Sequence, residues 1–371
     1  MRPPVLHIIP FLWSGAGSVV TRLCEAQRRQ GPVAIVTTSR YGEMSDWPMY
    51  RRRLRRAGVT HHTIDFFRRA DDVFWPSVSA LVEVIRSLRP AVIHAHAGVP
   101  SGAAVIARAI AQSPARIIGQ MYSWGPNRPA WMNLQDIWGL GQTDRLVCSA
   151  HAYVDLLIDG GVPRRKLTYL PWGLDLGRLR LDPQPAGGRE PGRAATIGFV
   201  GRIEPRKGQR ELVAAFARVR RAYPHARLDL VGPVADDSYA AQLRADITAA
   251  GLGDVIRLPG EVRDPAVWMR RWDAFVSLSA DEGQGLAVLE AMALGVPVIA
   301  RPVAGIADFL KNGRNGMAIP RPGPIAAARV IRETLAQPAL RARLARAGRQ
   351  LVERHYNWDD TLRAFERFYW E

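Results

Sequence analysis

Two glutamates eight positions apart, Glu282 and Glu290, flank the stretch of this chain most able to do chemistry. Glu282 stands in the loop Ala280-Asp281-Glu282-Gly283-Gln284-Gly285. Glu290 interrupts the apolar run Leu286-Ala287-Val288-Leu289-Glu290-Ala291-Met292-Ala293-Leu294. A carboxylate inside such a run is costly to bury unless a partner receives it. Gly283 and Gly285 let backbone amides at a helix start approach an anion closely. The pattern therefore suits anion binding beside two carboxylates. A second candidate is His94-Ala95-His96, where strand alternation puts both imidazoles on one face. Two such histidines suit a metal, but no third ligand is evident nearby in the sequence.

The elements that position the glutamates lie within residues 274–300. A buried strand over 275–278 leads through the glycine-rich turn into a helix over about 286–294, and a second strand follows over 296–300. Gly295 provides the left-handed residue after the helix, and Pro297 prevents the helix from resuming. This is a βαβ unit, with its polar loop at the strand end where open α/β sheets bind ligands. Further strands are expected at 5–9, 33–37, 91–96, 116–120, 144–149, 196–200, 227–231 and 255–258, with helices at 19–29 and 49–57. A chain of 371 residues exceeds one ordinary core, so two domains are expected, joined by the Pro- and Gly-rich residues 180–195. Gly15-x-Gly17 lacks a third glycine at position 20, which is Val20, and this argues against a dinucleotide-dependent oxidoreductase.

The string Glu282-Gly283-x6-Glu290, followed by Ala291-Met292-Ala293-Leu294-Gly295-Val296-Pro297-Val298, resembles the signature of retaining glycosyltransferase family 4. The resemblance covers nearly the whole chain and is strongest over 196–316. It implies the α/β GT-B fold, two Rossmann-like domains facing across a cleft. Residues 1–178 would bind the acceptor and 179–355 the nucleotide sugar, with a C-terminal helix at about 356–371 packing back on the first domain. By the same resemblance Glu282 lies beside the donor sugar, Gly283, Gln284 and Gly285 touch sugar and diphosphate, and Glu290 holds the ribose hydroxyls. Arg202 and Lys207 resemble the family's pair of cations on the donor diphosphate. Lys207 is one of only three lysines in a chain with 48 arginines, which fits a compact charge placed on a phosphate. Gly15 and Ala16 fall in the first loop, which faces the donor, and His96 matches the second histidine of a His-x-His that faces the reacting sugar. Tyr122 stands where many relatives have histidine, and Trp124 in the following loop suits stacking on an acceptor sugar. Trp172 replaces a usual asparagine, and Gln284 replaces an aromatic residue, a departure that bears on the donor sugar. Trp124, Trp131 and Trp138 recur every seven residues and predict one packed helix face.

The implied reaction is a retaining transfer from a nucleotide diphosphate sugar to an acceptor hydroxyl, on the sugar's front face. GDP-mannose is placed ahead of UDP-glucose and UDP-N-acetylglucosamine. An Asp-x-Asp pair, which would bridge a metal to diphosphate, occurs nowhere, so no metal and no other cofactor are expected. Alternatives are transfer from a UDP-sugar to a small soluble acceptor, a non-hydrolysing nucleotide-sugar epimerase of similar fold, and a catalytically silent partner of an assembly complex. The epimerase should lack the Glu282/Glu290 signature, and intact Arg202, Lys207, Glu282 and Glu290 speak against the silent partner.

The net charge of +17 is uneven: residues 1–180 hold 23 Lys and Arg against 12 Asp and Glu. Arg51, Arg52, Arg53, Arg55 and Arg56 are followed by Phe66, Phe67, Phe74 and Trp75. Such a run is either a solvated face or an interface for anionic lipid headgroups. The second reading leads to a lipid-linked saccharide acceptor, to docking on the cytoplasmic face of the membrane, and to cell-surface polysaccharide synthesis. The high isoelectric point alone would suggest nucleic acid, but no recognised motif supports that partner. No stretch approaches about 18 consecutive apolar residues. Cys24 and Cys148 form neither a disulfide framework nor a zinc motif, which fits a reducing cytoplasm.

Overall fold

Apolar runs bounded by glycine- and proline-containing turns build two wholly parallel sheets, each buried on both faces as crossover helices require. The computed structural model describes residues 1–39, 48–65, 71–123, 130–180 and 194–371, apart from the side chains of residues 14, 71 and 72. In chain order the elements are β1 (Val5–Ile8), α1 (Ser14–Arg28), β2 (Val33–Thr37), α2 (Pro48–Ala57), β3 (Thr60–Thr63), α3 (Asp71–Leu88) and β4 (Val92–His96). Next come α4 (Gly98–Ile110), β5 (Arg116–Met121), α5 (Ala130–Gly141), β6 (Arg145–Cys148), α6 (His151–Asp159) and β7 (Leu167–Tyr169). The second set is β8 (Thr196–Val200), α7 (Gln209–Arg220), β9 (Arg227–Val231), α8 (Asp237–Ala249), β10 (Ile256–Gly260), α9 (Pro265–Met269), β11 (Ala274–Ser277) and α10 (Leu286–Ala293). It ends with β12 (Val298–Ala300), α11 (Ala304–Phe309), β13 (Met317–Ala318), α12 (Pro324–Leu335), α13 (Pro338–His355) and α14 (Trp358–Trp370).

The first sheet runs β3-β2-β1-β4-β5-β6-β7 and the second β10-β9-β8-β11-β12-β13. In each, the winding direction reverses between two central strands, β1 and β4 in the first and β8 and β11 in the second. Open α/β sheets bind ligands at such a switch point, beyond the strands' carboxyl ends.

The chain divides into one compact unit of residues 1–172 with 362–371, and another of 173–361. These limits differ from the expected 178 and 356 for a reason visible in the second unit's packing. Leu174 donates its amide to Tyr356 O at 2.7 Å and accepts from the amide of Trp358 at 3.0 Å. Its side chain joins the core of Val288, Leu289, Met292 and Phe309. Residues 173 and 174, and with them the first turn of α14, thus belong to the second unit.

Two other expectations are corrected. Helix α1 starts at Ser14, not near position 19, because the amide of Gly17 already closes a turn on Trp13 O at 3.0 Å. Trp131 and Trp138 do not face the core: they are 55% and 52% exposed, with Leu134 between them at 68%, while α5 buries Asp136, Gly139 and Leu140. Trp124 and most of the expected linker lie outside the described residues, as do Phe66 and Phe67.

A paired-charge loop site and a buried histidine network

In the second unit, the loops after β8 and β11 meet because their strands are neighbours, although far apart in sequence. Contact between the loops is backbone-close. Gly208 has φ +71°, and a Cβ there would sit 2.5 Å from Leu278 O; the amide of Ala280 donates to Arg206 O at 2.9 Å. A side chain at 208 would force the loops apart.

That approach sets Lys207 Nζ 2.6 Å from Glu282 Oε1, and the Ser279 hydroxyl donates to the same oxygen at 2.8 Å. Arg206 reaches Asp281 and Glu204, each at 3.2 Å, and Arg202 reaches Glu204 at 3.0 Å. Burial opposes the charge on Glu282, but Lys207, Ser279 and Arg206 outweigh it and hold the carboxyl below its usual value. Burial lowers the Arg202 guanidinium, with Glu204 acting against it. For Arg206 burial also lowers, but Glu204, Glu282 and Asp281 together raise its pKa above the ordinary value. Three cations and three carboxylates thus interlock at the carboxyl ends of β8 and β11. The chemistry open to them is to receive a ligand that carries both negative charge and hydroxyls.

Gly285 caps α10 with φ +80°, and an α-helix leaves its first amides without intrahelical partners. The preceding loop rests on α11: a Cβ on Gly305 would sit 2.4 Å from Gly283 O and 2.5 Å from Gln284 Cα. Gln284 is buried and Glu290 half-buried, both attached to α10. The structure therefore gathers Arg202, Lys207, Glu282, Gly283, Gln284, Gly285 and Glu290 in one unit. Arg206 and Ser279 carry no signal in the sequence beyond the Ser277-x-Ser279 repeat of hydroxyls ahead of the glutamate, whose oxygens lie 3.2 Å apart.

The first unit holds His96, Tyr122, Gly15 and Ala16. Gly15 and Ala16 occupy the first turn of α1, where both are half-buried. His96 is fully buried, and both ring nitrogens are engaged: Nδ1 lies 2.8 Å from the Tyr122 hydroxyl and Nε2 lies 3.1 Å from His7 Nδ1. Both ring nitrogens of His96 are thus engaged within the protein. Its neighbours were invisible in sequence because they depend on strand register. His7 of β1 pairs with His94 of β4, so His7, His94 and His96 share a face, with one ring nitrogen of each within 4.8 Å of the others. His7 Nε2 lies 2.7 Å from Gln27 Oε1, and His94 Nδ1 lies 2.5 Å from the Tyr369 hydroxyl of α14. His7 supplies the third imidazole that a metal would need, but the facing nitrogens of His7 and His96 are engaged with each other. Burial depresses all three imidazoles, His7 to about 4 and the other two well below their ordinary value, so all are neutral at pH 7. Burial raises both tyrosines well above the ordinary phenol value.

Comparison with known proteins converges on one family. Residues 13–178 match the family model described as Glycosyltransferase Family 4, and residues 183–351 match that of Glycosyl transferases group 1. A D-inositol 3-phosphate glycosyltransferase of Streptomyces avermitilis is 31% identical over 253 residues, covering 64% of this chain and 53% of that protein. A lipopolysaccharide core biosynthesis mannosyltransferase of Rhizobium leguminosarum bv. viciae is 32% identical over 182 residues, covering 47% and 51%. The chain spans about half the length of the first curated relatives it matches. Among solved structures, Anabaena HepE in complex with UDP and glucose superposes with a TM-score of 0.85 at 17% identity, covering 99% of each chain.

Proposed function

Because the chain belongs to the group 1 glycosyltransferases of family 4, we propose that it moves a sugar, with retention, from a nucleotide diphosphate sugar to a saccharide hydroxyl. The observation that carries this reading is the Lys207–Glu282 pair at 2.6 Å, beside Arg202 and Arg206. Arg202 and Lys207 stabilise charge on the departing diphosphate, which is where preorganised cations lower a barrier most. Gly283, Gln284 and Gly285 present backbone to sugar and diphosphate, Glu282 stands beside the donor sugar, and Glu290 holds the ribose hydroxyls. Gly15 and Ala16, in the first turn of α1, are also assigned to the donor. The donor phosphate helps to deprotonate the acceptor hydroxyl, and the sugar arrives on the face from which the diphosphate leaves. The chain's own cations neutralise the diphosphate, so the reaction requires no metal and no cofactor.

The donor is GDP-mannose, a choice supported by the mannosyltransferase relative. The acceptor is a lipid-linked saccharide for a cell-surface polysaccharide, bound in the first unit with Tyr122 and Trp124 against it. The basic excess of residues 1–180 and the exposed Arg52, Arg55 and Arg56 of α2 support docking on the anionic cytoplasmic face of a membrane. No described helix is long and apolar enough to cross a membrane; the attachment proposed is a peripheral one. The inositol phosphate relatives favour a second reading, in which a UDP-sugar is transferred to a small soluble phosphorylated acceptor. Thermal stabilisation by a panel of GDP- and UDP-sugars, followed by labelled transfer to lipid-linked and soluble acceptors, separates the two. Failure of every nucleotide sugar to stabilise the protein would refute both.

A further inference from the structure

The buried network of the first unit has a direction, and the direction is set by the Gln27 amide. An amide oxygen can only accept, and Gln27 Oε1 lies 2.7 Å from His7 Nε2, so His7 donates from Nε2. A neutral imidazole has one N–H. His7 Nδ1 must then accept from His96 Nε2, and His96 Nδ1 must accept from the Tyr122 hydroxyl.

Tyr122 is half-buried just past the carboxyl end of β5, at the opposite end of this chain of side chains from the half-buried Gln27, while His7 and His96 between them are fully buried. With its proton committed inward, its oxygen has only lone pairs to offer outward. We propose that Tyr122 reads a bound saccharide by accepting a hydrogen bond from one sugar hydroxyl, and that Gln27, His7 and His96 are positioning residues that hold it in that sense. The nature of the ligand rests on the sugar-transfer reading; the direction of the network does not.

The reverse arrangement would put the proton on Nδ1 of His7 and His96 and turn Tyr122 into a donor. Nitrogen-15 NMR of protein labelled at histidine, assigned with His7→Gln, His94→Gln and His96→Gln, distinguishes the two without any assay of activity. We expect the Nε2–H tautomer at His7 and His96 at pH 7, and Tyr122→Phe to move the His96 Nδ1 signal alone. Tyr122→Phe should raise KM for the saccharide acceptor about 3- to 15-fold, the scale of one neutral hydrogen bond, with nucleotide affinity unchanged. The variant should also no longer discriminate against the acceptor deoxygenated at the hydroxyl that is read. An Nδ1–H tautomer at His7 or His96 would overturn the proposal. So would stoichiometric zinc in the purified protein whose loss collapses all three resonances, since the cluster would then be a metal centre. The expected tautomers with unchanged acceptor KM in Tyr122→Phe would keep the direction and overturn the role at the sugar.

Discussion

Replacing Lys207 by methionine removes the ammonium and keeps most of the side-chain volume. Lys207 Nζ lies 2.6 Å from Glu282 Oε1, and the two side chains retain 11% and 17% of their accessible surface. Removing one partner of a buried pair costs about 3–5 kcal/mol. Here the Ser279 hydroxyl and the Arg206 charge remain on Glu282 and offset about 1–2 kcal/mol of that, so the net loss is about 1–4 kcal/mol. In a unit of this size that lowers Tm by roughly 2–16 °C. In the parent, the carboxyl of Glu282 is depressed by its partners, so it contributes stability above the ordinary carboxylate pKa and loses it as pH falls through the lowered value. In Lys207→Met burial weighs more heavily on Glu282 and its carboxyl rises. The deficit is therefore largest at neutral pH and shrinks toward about pH 4, where the carboxyl is protonated. Nucleotide affinity should fall by about 1.5–3 kcal/mol, roughly 10- to 150-fold, since a charge-assisted contact is lost. Scanning calorimetry at several pH values and titration with nucleotide measure both effects. A Tm within about 1 °C of the parent at every pH, together with affinity within about twofold, would refute the reasoning.

Glu290→Ala should weaken nucleotide binding by about 1.5–3 kcal/mol in titration calorimetry, with the fold intact by circular dichroism. Sugar transfer should survive EDTA; abolished turnover restored by Mg2+ or Mn2+ would show that the paired loops do not handle the diphosphate alone. His96→Gln should lower turnover while donor affinity stays within about twofold, because His96 supports Tyr122 in the first unit and the paired charges lie in the second. Changing Arg52, Arg55 and Arg56 to Glu should abolish salt-sensitive sedimentation with anionic liposomes, each arginine contributing about 1 kcal/mol near such a surface; equal, negligible binding by parent and variant would leave α2 a solvated face.

The fold and the second unit's site were legible because both are written locally. The apolar runs of β8, β9 and β11 announce buried parallel strands, and Glu282, Gly283, Gly285 and Glu290 lie on one loop and its helix. Arg202 and Lys207 lie on one neighbouring loop, and the glycine at 208 permits its approach. The histidine network was not legible because it depends on register between strands: nothing near His7 in the sequence points to His94, and nothing near either points to Tyr369. The tryptophan repeat misled for a related reason. A seven-residue spacing fixes which residues share a helix face but not which face packs, and in α5 the small Gly139 takes the inner side. Helix α1 began early because a closed hydrogen-bonded turn overrode the weak helix propensity of Gly15 and Gly17.

Residues 362–371 leave the ribosome only after the whole of the second unit, yet they finish the core of the first. Phe365 stacks on Trp172 with ring centroids 4.9 Å apart, and Tyr369 engages His94. Domains usually complete in the order of synthesis; here the first to emerge is the last to close. Until the closing segment arrives, the nascent first unit holds an apolar slot beside Val5, Leu23 and Ala26 and a buried His94 whose Nδ1 lacks its hydroxyl. The second unit, by contrast, is one continuous span of residues 173–361. Translation rate across codons 173–361 therefore sets how long that slot stays open, and with it the interval in which a chaperone, or another nascent chain, can occupy the place of α14.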